Sequence, residues 1–176
     1  YPTLWFLVVG LLFSGYAILE GFDYGAGMWH LFFRKDLSRR IAINAIGPLW
    51  DANQVWLIIG IGALFAGFPV MYATMLSAMY VPFILLLMFL VLRSSAIKFR
   101  SAEEMKWWRK TWDIIYFVSN TLISFLLGVI LANILQGFEL AENHSHKGGV
   151  FFSFLNPYAI MVSSTTVSLF MTQGAI

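Results

Sequence analysis

The stretch "LWFLVVGLLFSGYAILEGFDYGAGM", residues 4–28, decides the fold class of this chain. A membrane-spanning α-helix needs ~20 apolar residues to cross ~30 Å of hydrocarbon, and this stretch is long enough. Its only charged side chains are Glu20 and Asp23, so it lacks the continuous polar face of a helix on a soluble protein. The stretch therefore predicts a transmembrane helix.

The composition extends this prediction to the whole chain. Hydrophobic residues make up 60% of the 176 positions and charged residues 11%, and the mean hydropathy is +0.77. A soluble domain has about 45–50% apolar and about 25% charged residues. We therefore expect an all-α integral membrane protein, a polytopic transmembrane helix bundle. The absence of cysteine excludes disulfides, thiolate metal sites and covalent c-type haem attachment in this chain.

Apolar runs between polar segments predict about five spans, and no soluble domain. The spans are expected near residues 4–28, 48–68, 70–92, 112–136 and 154–176. Residues 1–137 would form a first four-span bundle, 138–153 an external loop, and 154–176 a fifth span beyond which the chain is expected to be incomplete. Small residues recur on one side of the first span and predict close approach of another helix there. They are Gly10, Ser14, Ala17, Gly21 and Gly25.

The basic residues predict the orientation of the spans. Ten of the eleven Lys and Arg residues fall in two segments, 33–40 and 93–110. Positively charged loops stay on the cytoplasmic side. Both segments are therefore expected in the cytoplasm and the N-terminus outside. Because the basic residues mark cytoplasmic segments, the net charge of +2 does not indicate a nucleic-acid partner.

Three acids lie in the expected cytoplasmic half of the spans. Glu20 and Asp23 are on the first span, and Asp51 is in the first turn of the second, within "GPLWDANQVW", residues 47–56. An acid near the middle of a span costs at least ~2.5–3.5 kcal/mol, so a carboxylate without a partner should be protonated or solvated. That property suits a proton relay. The alternative is that Asp51 caps a helix and that Asp23 is solvated at the membrane–water interface.

Histidines give little support for a metal or haem site. A haem needs an axial His, Met, Cys or Tyr, and His30 is the only His close to the membrane. Its position favours an interfacial residue over a ligand. A second weak candidate is a divalent metal site in the external loop. It would use Glu139, Glu142, His144 and His146. We predict no haem ligand and no metal site in this chain.

Several motifs resemble subunit II of the cytochrome bd quinol oxidases, in order along nearly the whole chain. They are "LEGFDYGAGM" (19–28), "RRIAINAIGPLWDANQVWLI" (39–58), "GALFAGFPVMYA" (62–73), "KTWD" (110–113), "NILQG" (133–137), "LNPYAI" (155–160) and "TQGA" (172–175). The paired GFDxGxGM and WDxNQVW motifs are highly specific.

The resemblance implies a place in a two-subunit complex of a prokaryotic cell membrane. Subunit I of that family carries the b-type and d-type haems and the quinol site, and the complex uses quinol electrons to reduce oxygen to water. Subunit II ligates no haem, has about eight spans in two bundles, and adds a hydrophilic path from the cytoplasm. By resemblance Asp51, Glu20 and Asp23 are the acids of that path. Asn53 and Gln54 are the expected hydrogen-bonding neighbours of Asp51.

Other interpretations of the sequence remain. The chain could act purely as a structural and assembly subunit of the same complex. It could instead be a secondary transporter, which also uses Pro-interrupted helices and buried acids. The sequence leaves open whether the quinol is ubiquinol or menaquinol. It also leaves open a bound structural quinone or lipid and small accessory subunits.

Overall fold

The computed structural model describes residues 1–137 and 154–176, and the regular structure of this part of the chain is helical. These residues form seven α-helices, and a 3-10 turn, His30–Phe32, follows the first. The helices are α1 Pro2–Trp29, α2 Asp36–Ile46, α3 Trp50–Gly67, α4 Pro69–Ala78, α5 Tyr80–Phe99, α6 Lys106–Gln136 and α7 Pro157–Gln173. The predicted all-α membrane bundle is confirmed.

Helix boundaries follow from local chemistry. Pro82 has no N–H to donate to the carbonyl of Ala78, so the helix breaks at Met79 between α4 and α5. Gly137 ends α6 with a φ of 77°, a conformation that glycine adopts without strain. At the start of α7 the side chain of Asn156 accepts a hydrogen bond from the backbone N–H of Ala159 at 2.7 Å.

Several of the described helices are long and apolar enough to cross a membrane. Within the described residues, three helices are long and apolar enough to cross a membrane: α1 with its 3-10 turn, α5 and α6. A fourth span is possible if α2 and α3, which meet at 46°, count as one bent element. The expected fifth span corresponds to α7, which has 17 residues. The described part of the chain therefore offers three or four candidate spans, which is consistent with the predicted membrane helix bundle.

Two predicted boundaries were wrong around the third span. The apolar helix there is Tyr80–Phe99, not 70–92, because Pro82 separates α4 from α5. The predicted loop 93–110 is shorter, since α5 continues through Arg93 and α6 begins at Lys106. Only residues 100–105 connect the two helices. Arg93 is compatible with the helix because buried carboxylates neutralise it, as described below.

Helices α1 and α6 form the centre of the bundle. The first packs against α3, α6 and α7, and the second against α1, α5 and α7. The buried core between them includes Tyr24, Met28, Ile123, Ile130 and Phe170. The first site described below lies where α1 meets α3 and α5, and the second lies at the ends of α1, α5 and α6.

The predicted close helix approach occurs where α7 crosses α1. A Cβ on Gly25 would collide with backbone atoms of Phe170 and Gly174, and one on Gly21 would press on the Phe170 ring at 2.7 Å. The small-residue stripe is thus confirmed at these two positions. Gly10, at the other end of the stripe, has nothing within 4 Å of its Cβ position.

The outward faces of α1 and α5 are apolar and exposed. Leu7 and Leu11 of α1 are 63% and 69% exposed, and Leu87 and Val91 of α5 are 60% and 63% exposed. Contiguous apolar surface of this kind faces lipid or another protein chain. The outward faces of α1 and α5 are therefore suited to contact with lipid or with another protein chain.

Candidate functional site

Two acids of α1 meet one arginine inside the bundle. Nη1 of Arg93 lies 2.9 Å from Oε2 of Glu20, and its Nη2 lies 3.8 Å from Oδ2 of Asp23. Asn53 of α3 donates a hydrogen bond from Nδ2 to Oδ2 of Asp23 at 3.0 Å. We call these four residues the inner cluster. The i, i+3 spacing of the two acids places both on the side of α1 that faces Arg93.

The inner cluster is shielded from solvent. Glu20 is 0%, Arg93 1% and Asp23 2% exposed. A buried charge is costly unless it is paired. Arg93 supplies one positive charge to two buried carboxylates, and it lies closer to Glu20 than to Asp23.

Tyrosines form one wall of the inner cluster. The guanidinium carbon of Arg93 sits 4.6 Å from the centre of the Tyr24 ring, a cation–π distance. The Tyr24 hydroxyl is hydrogen-bonded to the Tyr16 hydroxyl at 2.5 Å. These contacts fix the arginine at the level of Glu20 on the bundle axis.

A second set of charges lies near the end of α1, and we call it the end network. Its centre is Asp113 of α6, which is 2% exposed. Asp113 accepts hydrogen bonds from Nε2 of His30 at 2.6 Å, from Nη1 of Arg39 at 3.0 Å, and from Nε of Arg100. Asp113 thus receives three donors from three different elements of the chain.

The end network continues to the surface through Asp36 of α2. Asp36 accepts from Arg100 at 2.6 Å and from Arg109 at 3.2 Å, and its side chain is 52% exposed. Burial disfavours the charged form of Arg100, but hydrogen bonds and attraction from Asp113 and Asp36 outweigh this effect and raise its pKa. The network runs from a buried carboxylate to solvent.

The predicted site residues are only partly brought together. Glu20, Asp23 and Asn53 meet in the inner cluster, whereas the sequence had placed Asn53 beside Asp51. Asp51 is exposed in the first turn of α3 and makes no hydrogen bond to another described residue. Gln54 is half-buried and likewise has no side-chain partner in the described ranges.

His30 is buried within the protein at the end of α1, and its predicted place at the membrane interface stays a prediction. Its ring is 0% exposed and lies between Asp113 and the Tyr116 ring, whose centre is 5.2 Å away. With Nε2 bonded to Asp113, the ring does not fit axial ligation of a haem. No set of three or more His, Asp and Glu side chains in residues 1–137 and 154–176 could hold a metal ion. The candidate site at 139–146 falls outside the described residues.

Sequence reasoning missed the two residues that organise these clusters. Arg93 was assigned to a cytoplasmic loop because it follows a long apolar run. Asp113 lies within the motif "KTWD", but no role was predicted for its carboxylate. The available signal was that Asp113 is the one acid of α6, in a helix whose first turns are otherwise basic and aromatic.

These features define a class of protein: a polytopic helical membrane protein whose central helices enclose two sets of buried charged residues. The family described as cytochrome bd terminal oxidase subunit II matches residues 1–176. The chain therefore belongs to the cytochrome bd terminal oxidase subunit II family.

Named relatives agree with this assignment. The chain is 42% identical over 176 residues to cytochrome bd-I ubiquinol oxidase subunit 2 of Escherichia coli K12, covering 98% of this chain and 46% of the relative. It is 41% identical over 175 residues to cytochrome bd ubiquinol oxidase subunit 2 of Bacillus subtilis 168, covering 97% and 51%. A putative cytochrome bd menaquinol oxidase subunit II of that organism is 25% identical, covering 95% and 49%. The chain spans about half the length of these curated relatives.

Proposed function

We propose that the full-length protein is subunit II of a cytochrome bd-type quinol oxidase in a bacterial cell membrane. A haem-bearing subunit I would be its partner, and the complex would oxidise quinol and reduce oxygen to water. Family membership and the names of the relatives support this role. The exposed apolar faces of α1 and α5 offer surface for subunit I, for lipid, and for small accessory subunits or a structural quinone.

Within that complex, this portion of the chain contributes a proton-uptake path. The observation that carries the proposal is the charge imbalance of the inner cluster, in which Arg93 faces both Glu20 and Asp23 in a buried setting. With both acids ionised the cluster has a net negative charge, which burial disfavours. Binding one proton removes that charge, so the cluster can be loaded and unloaded at small energetic cost.

Asp51 would be the entry to this path. It is exposed in the first turn of α3, at the end of that helix where Asn53 contacts Asp23. Residues two apart on a helix point in different directions, so Asp51 and Asn53 do not face each other. We propose that water or groups of subunit I bridge them. By the positive-inside rule this end of the bundle is cytoplasmic.

A scaffold role is the second candidate, and the end network favours it. Asp113 is held by three donors and joins α6 to α2, the end of α5 and the turn after α1. Such a network stabilises the bundle without any need for proton movement. The two roles make different predictions for conservative changes of the acids.

The test compares acid-to-amide variants of the intact complex. Asp51→Asn and Glu20→Gln keep the side-chain size but cannot exchange a proton at accessible pH. We expect slower oxygen reduction per haem in each and a less than additive loss in the double variant. Glu104→Gln, an exposed acid of the 100–105 connection, is the matched control. Normal rates in the fully assembled double variant would leave only the scaffold role.

The proposed orientation has a separate test. Ser101 is exposed in the connection between α5 and α6, which we place in the cytoplasm. Ser101→Cys should resist a membrane-impermeant thiol reagent in intact cells and react after lysis. Labelling in intact cells would reverse the orientation and put the inner cluster at the wrong end for cytoplasmic uptake.

A further inference from the structure

The outward side of α2 and of the turn before it combines apolar and basic side chains, all of them exposed. We call this set the α2 surface, and its members are Phe32, Arg34, Lys35, Leu37, Arg40 and Ile41. Leu37 and Ile41 lie one helical turn apart and are 66% and 60% exposed, and Phe32 is 62% exposed. The described part of the chain therefore leaves three large apolar side chains uncovered here.

The opposite side of α2 is packed against the bundle. Ile43 and Ile46 are 5% and 3% exposed, and Ile43 shares a core with Ala96 of α5 and Tyr116 of α6. A surface helix of a soluble protein carries charged and polar side chains opposite its core face. Helix α2 instead has apolar side chains on both sides, so its outward side is suited to apolar surroundings.

Hydrogen bonds fix the α2 surface at the end of α1. Arg39 donates to two backbone carbonyl oxygens of the 31–33 turn, at 2.9 and 3.3 Å, and to Asp113 of α6 at 3.0 Å. The Phe32 ring packs against the Trp29 ring, with their centroids 5.2 Å apart. Tryptophan is typical of the membrane–water interface. The α2 surface therefore lies where the first span ends and the headgroups of the lipid begin.

The basic members of the α2 surface have no acid to neutralise them. Arg34, Lys35 and Arg40 form no ion pair within residues 1–137 and 154–176. The one acid of α2 is Asp36, and two arginines of the end network already bind it. Three positive charges are thus left beside the exposed apolar side chains. Their complement is an anion that also has an apolar part.

We propose that the α2 surface binds an anionic phospholipid. The headgroup phosphate accepts hydrogen bonds from the three basic residues, and the acyl chains cover the three apolar ones. An amphipathic helix at a membrane surface uses the same combination of apolar contact and attraction to anionic lipid. By the positive-inside rule this end of the bundle is cytoplasmic, and the leaflet on that side has a negative surface potential.

The charges give the α2 surface its selectivity. Acyl chains make the same contacts with it whatever the headgroup. A zwitterionic headgroup carries its own cation beside the phosphate, whereas an anionic headgroup has a net charge to neutralise. Each basic residue near an anionic surface contributes about fivefold to binding. The proposal is independent of proton movement through Glu20.

The first experiment measures this selectivity in the intact complex. The complex is placed in nanodiscs of phosphatidylcholine with a minor share of phosphatidylglycerol. A trace of one or the other lipid carries a photoactivatable diazirine on its acyl chain, and mass spectrometry identifies the labelled peptides. We expect the phosphatidylglycerol probe to label residues 31–46 several-fold more than the phosphatidylcholine probe does. High salt should reduce the difference because it screens exposed charges. Equal labelling by both probes at low salt would overturn the proposal.

The second experiment removes the three charges together, with the variant Arg34→Gln, Lys35→Gln and Arg40→Gln. Labelling of residues 31–46 by the phosphatidylglycerol probe should fall to the level of the phosphatidylcholine probe. Digestion with chymotrypsin suits this comparison, since the substitutions leave its cleavage sites unchanged. An unchanged preference for phosphatidylglycerol in the assembled variant would contradict the proposal.

A matched control removes the same number of charges elsewhere at this end of the bundle. Its substitutions are at exposed lysines that form no ion pair in the described residues: Lys98→Gln, Lys106→Gln and Lys110→Gln. The control should keep the preference for phosphatidylglycerol at residues 31–46. An equal loss in both variants would mean that net charge, and not the α2 surface, selects the lipid, and the proposal would fail.

A protein partner on the α2 surface gives a different result. If subunit I covers it, neither probe labels residues 31–46 in the folded complex, although both still label the outward face of α1 or α5. That outcome would also reject the proposal. Selective labelling that only the α2 variant loses supports it. Oxygen reduction by Glu20→Gln is measured separately, so either idea can fail while the other stands.

Discussion

The inner cluster and the end network both bury carboxylates against arginine, yet they differ in the ratio of donors to acids. In the inner cluster one arginine faces two carboxylates, Glu20 at 2.9 Å and Asp23 at 3.8 Å. In the end network Asp113 alone receives bonds from His30, Arg39 and Arg100. The donors around Asp113 stabilise its ionised form, whereas the inner cluster has a single cation for two acids.

The comparison shows that burial alone does not determine the role of a charged residue. Asp113 is as buried as Asp23, each 2% exposed. The bonds of Asp113 join several helices, whereas the proposed proton role concerns the acids of the inner cluster, which share one cation. The variants below test this distinction, from the largest expected effect to the smallest.

Arg93→Met should have the largest effect on stability. It leaves two buried acids without their cation, and breaking a buried ion pair on one side costs about 3–5 kcal/mol. We expect loss of assembled complex or a large fall in its thermal unfolding midpoint. Arg40→Met, an exposed position of α2, is the control. Adding Glu20→Gln to Arg93→Met should recover part of the loss, and no recovery would mean that Glu20 is not ionised in the pair.

Asp113→Asn should have the second largest effect on stability. The amide cannot satisfy three charged donors at once, and a lost hydrogen bond to a charged group is worth about 1.5–3 kcal/mol. Its control is Asp36→Asn in the same network, which is 52% exposed and should cost no more than about 1 kcal/mol. Chemical unfolding of the complex measures both. Equal effects of the two changes would contradict the assignment of Asp113 as the centre of the network.

Gly25→Ala tests the framework that holds both regions in place. Its Cβ would collide with backbone of α7, and overpacking of this kind costs about 1–3 kcal/mol. Gly10→Ala, with open space at its Cβ position, should instead be neutral or stabilising by up to about 1 kcal/mol. Thermal unfolding of the complex would show the contrast. A harmless Gly25→Ala would mean that α1 and α7 are further apart than described.

Asn53→Ala should have the smallest effect of the series. It removes the donor to Asp23 in a half-buried position, which is worth about 1 kcal/mol. Gln54→Ala, one position along α3 and without a side-chain partner in the described residues, should change stability less. The difference in unfolding midpoint between the two is the measurement. A larger loss of stability from Gln54→Ala would instead support the sequence-based prediction that Gln54 is a hydrogen-bonding neighbour of Asp51.

Much of the fold follows from the sequence by simple physics. The long apolar runs predict membrane helices because backbone groups in lipid must be satisfied within a helix. The stripe of small residues predicts the close approach of another helix, and the structure shows α7 in that place at Gly21 and Gly25. The break at Met79 was missed, since an apolar run alone does not reveal that Pro82 removes a hydrogen bond inside it.

The candidate site was predicted in part. Glu20 and Asp23 stand out because acids inside an apolar run are expensive wherever they lie. Their partner Arg93 comes from a segment 70 residues further along the chain, and nothing in its local sequence distinguishes it from a loop arginine. Asp113 and His30 are likewise 83 residues apart.

The sequence by itself determined that this protein is a helical membrane protein of the cytochrome bd subunit II family, because apolar length and local motifs are properties of single segments. The tertiary structure alone decided which charges are paired. Pairing depends on distances between helices, and an ion pair a few ångströms across gains its energy only where burial lowers the dielectric around it. The inner cluster depends on the contacts of α1 with α3 and α5, and the end network on the contacts that α6 makes with α2 and with the ends of α1 and α5.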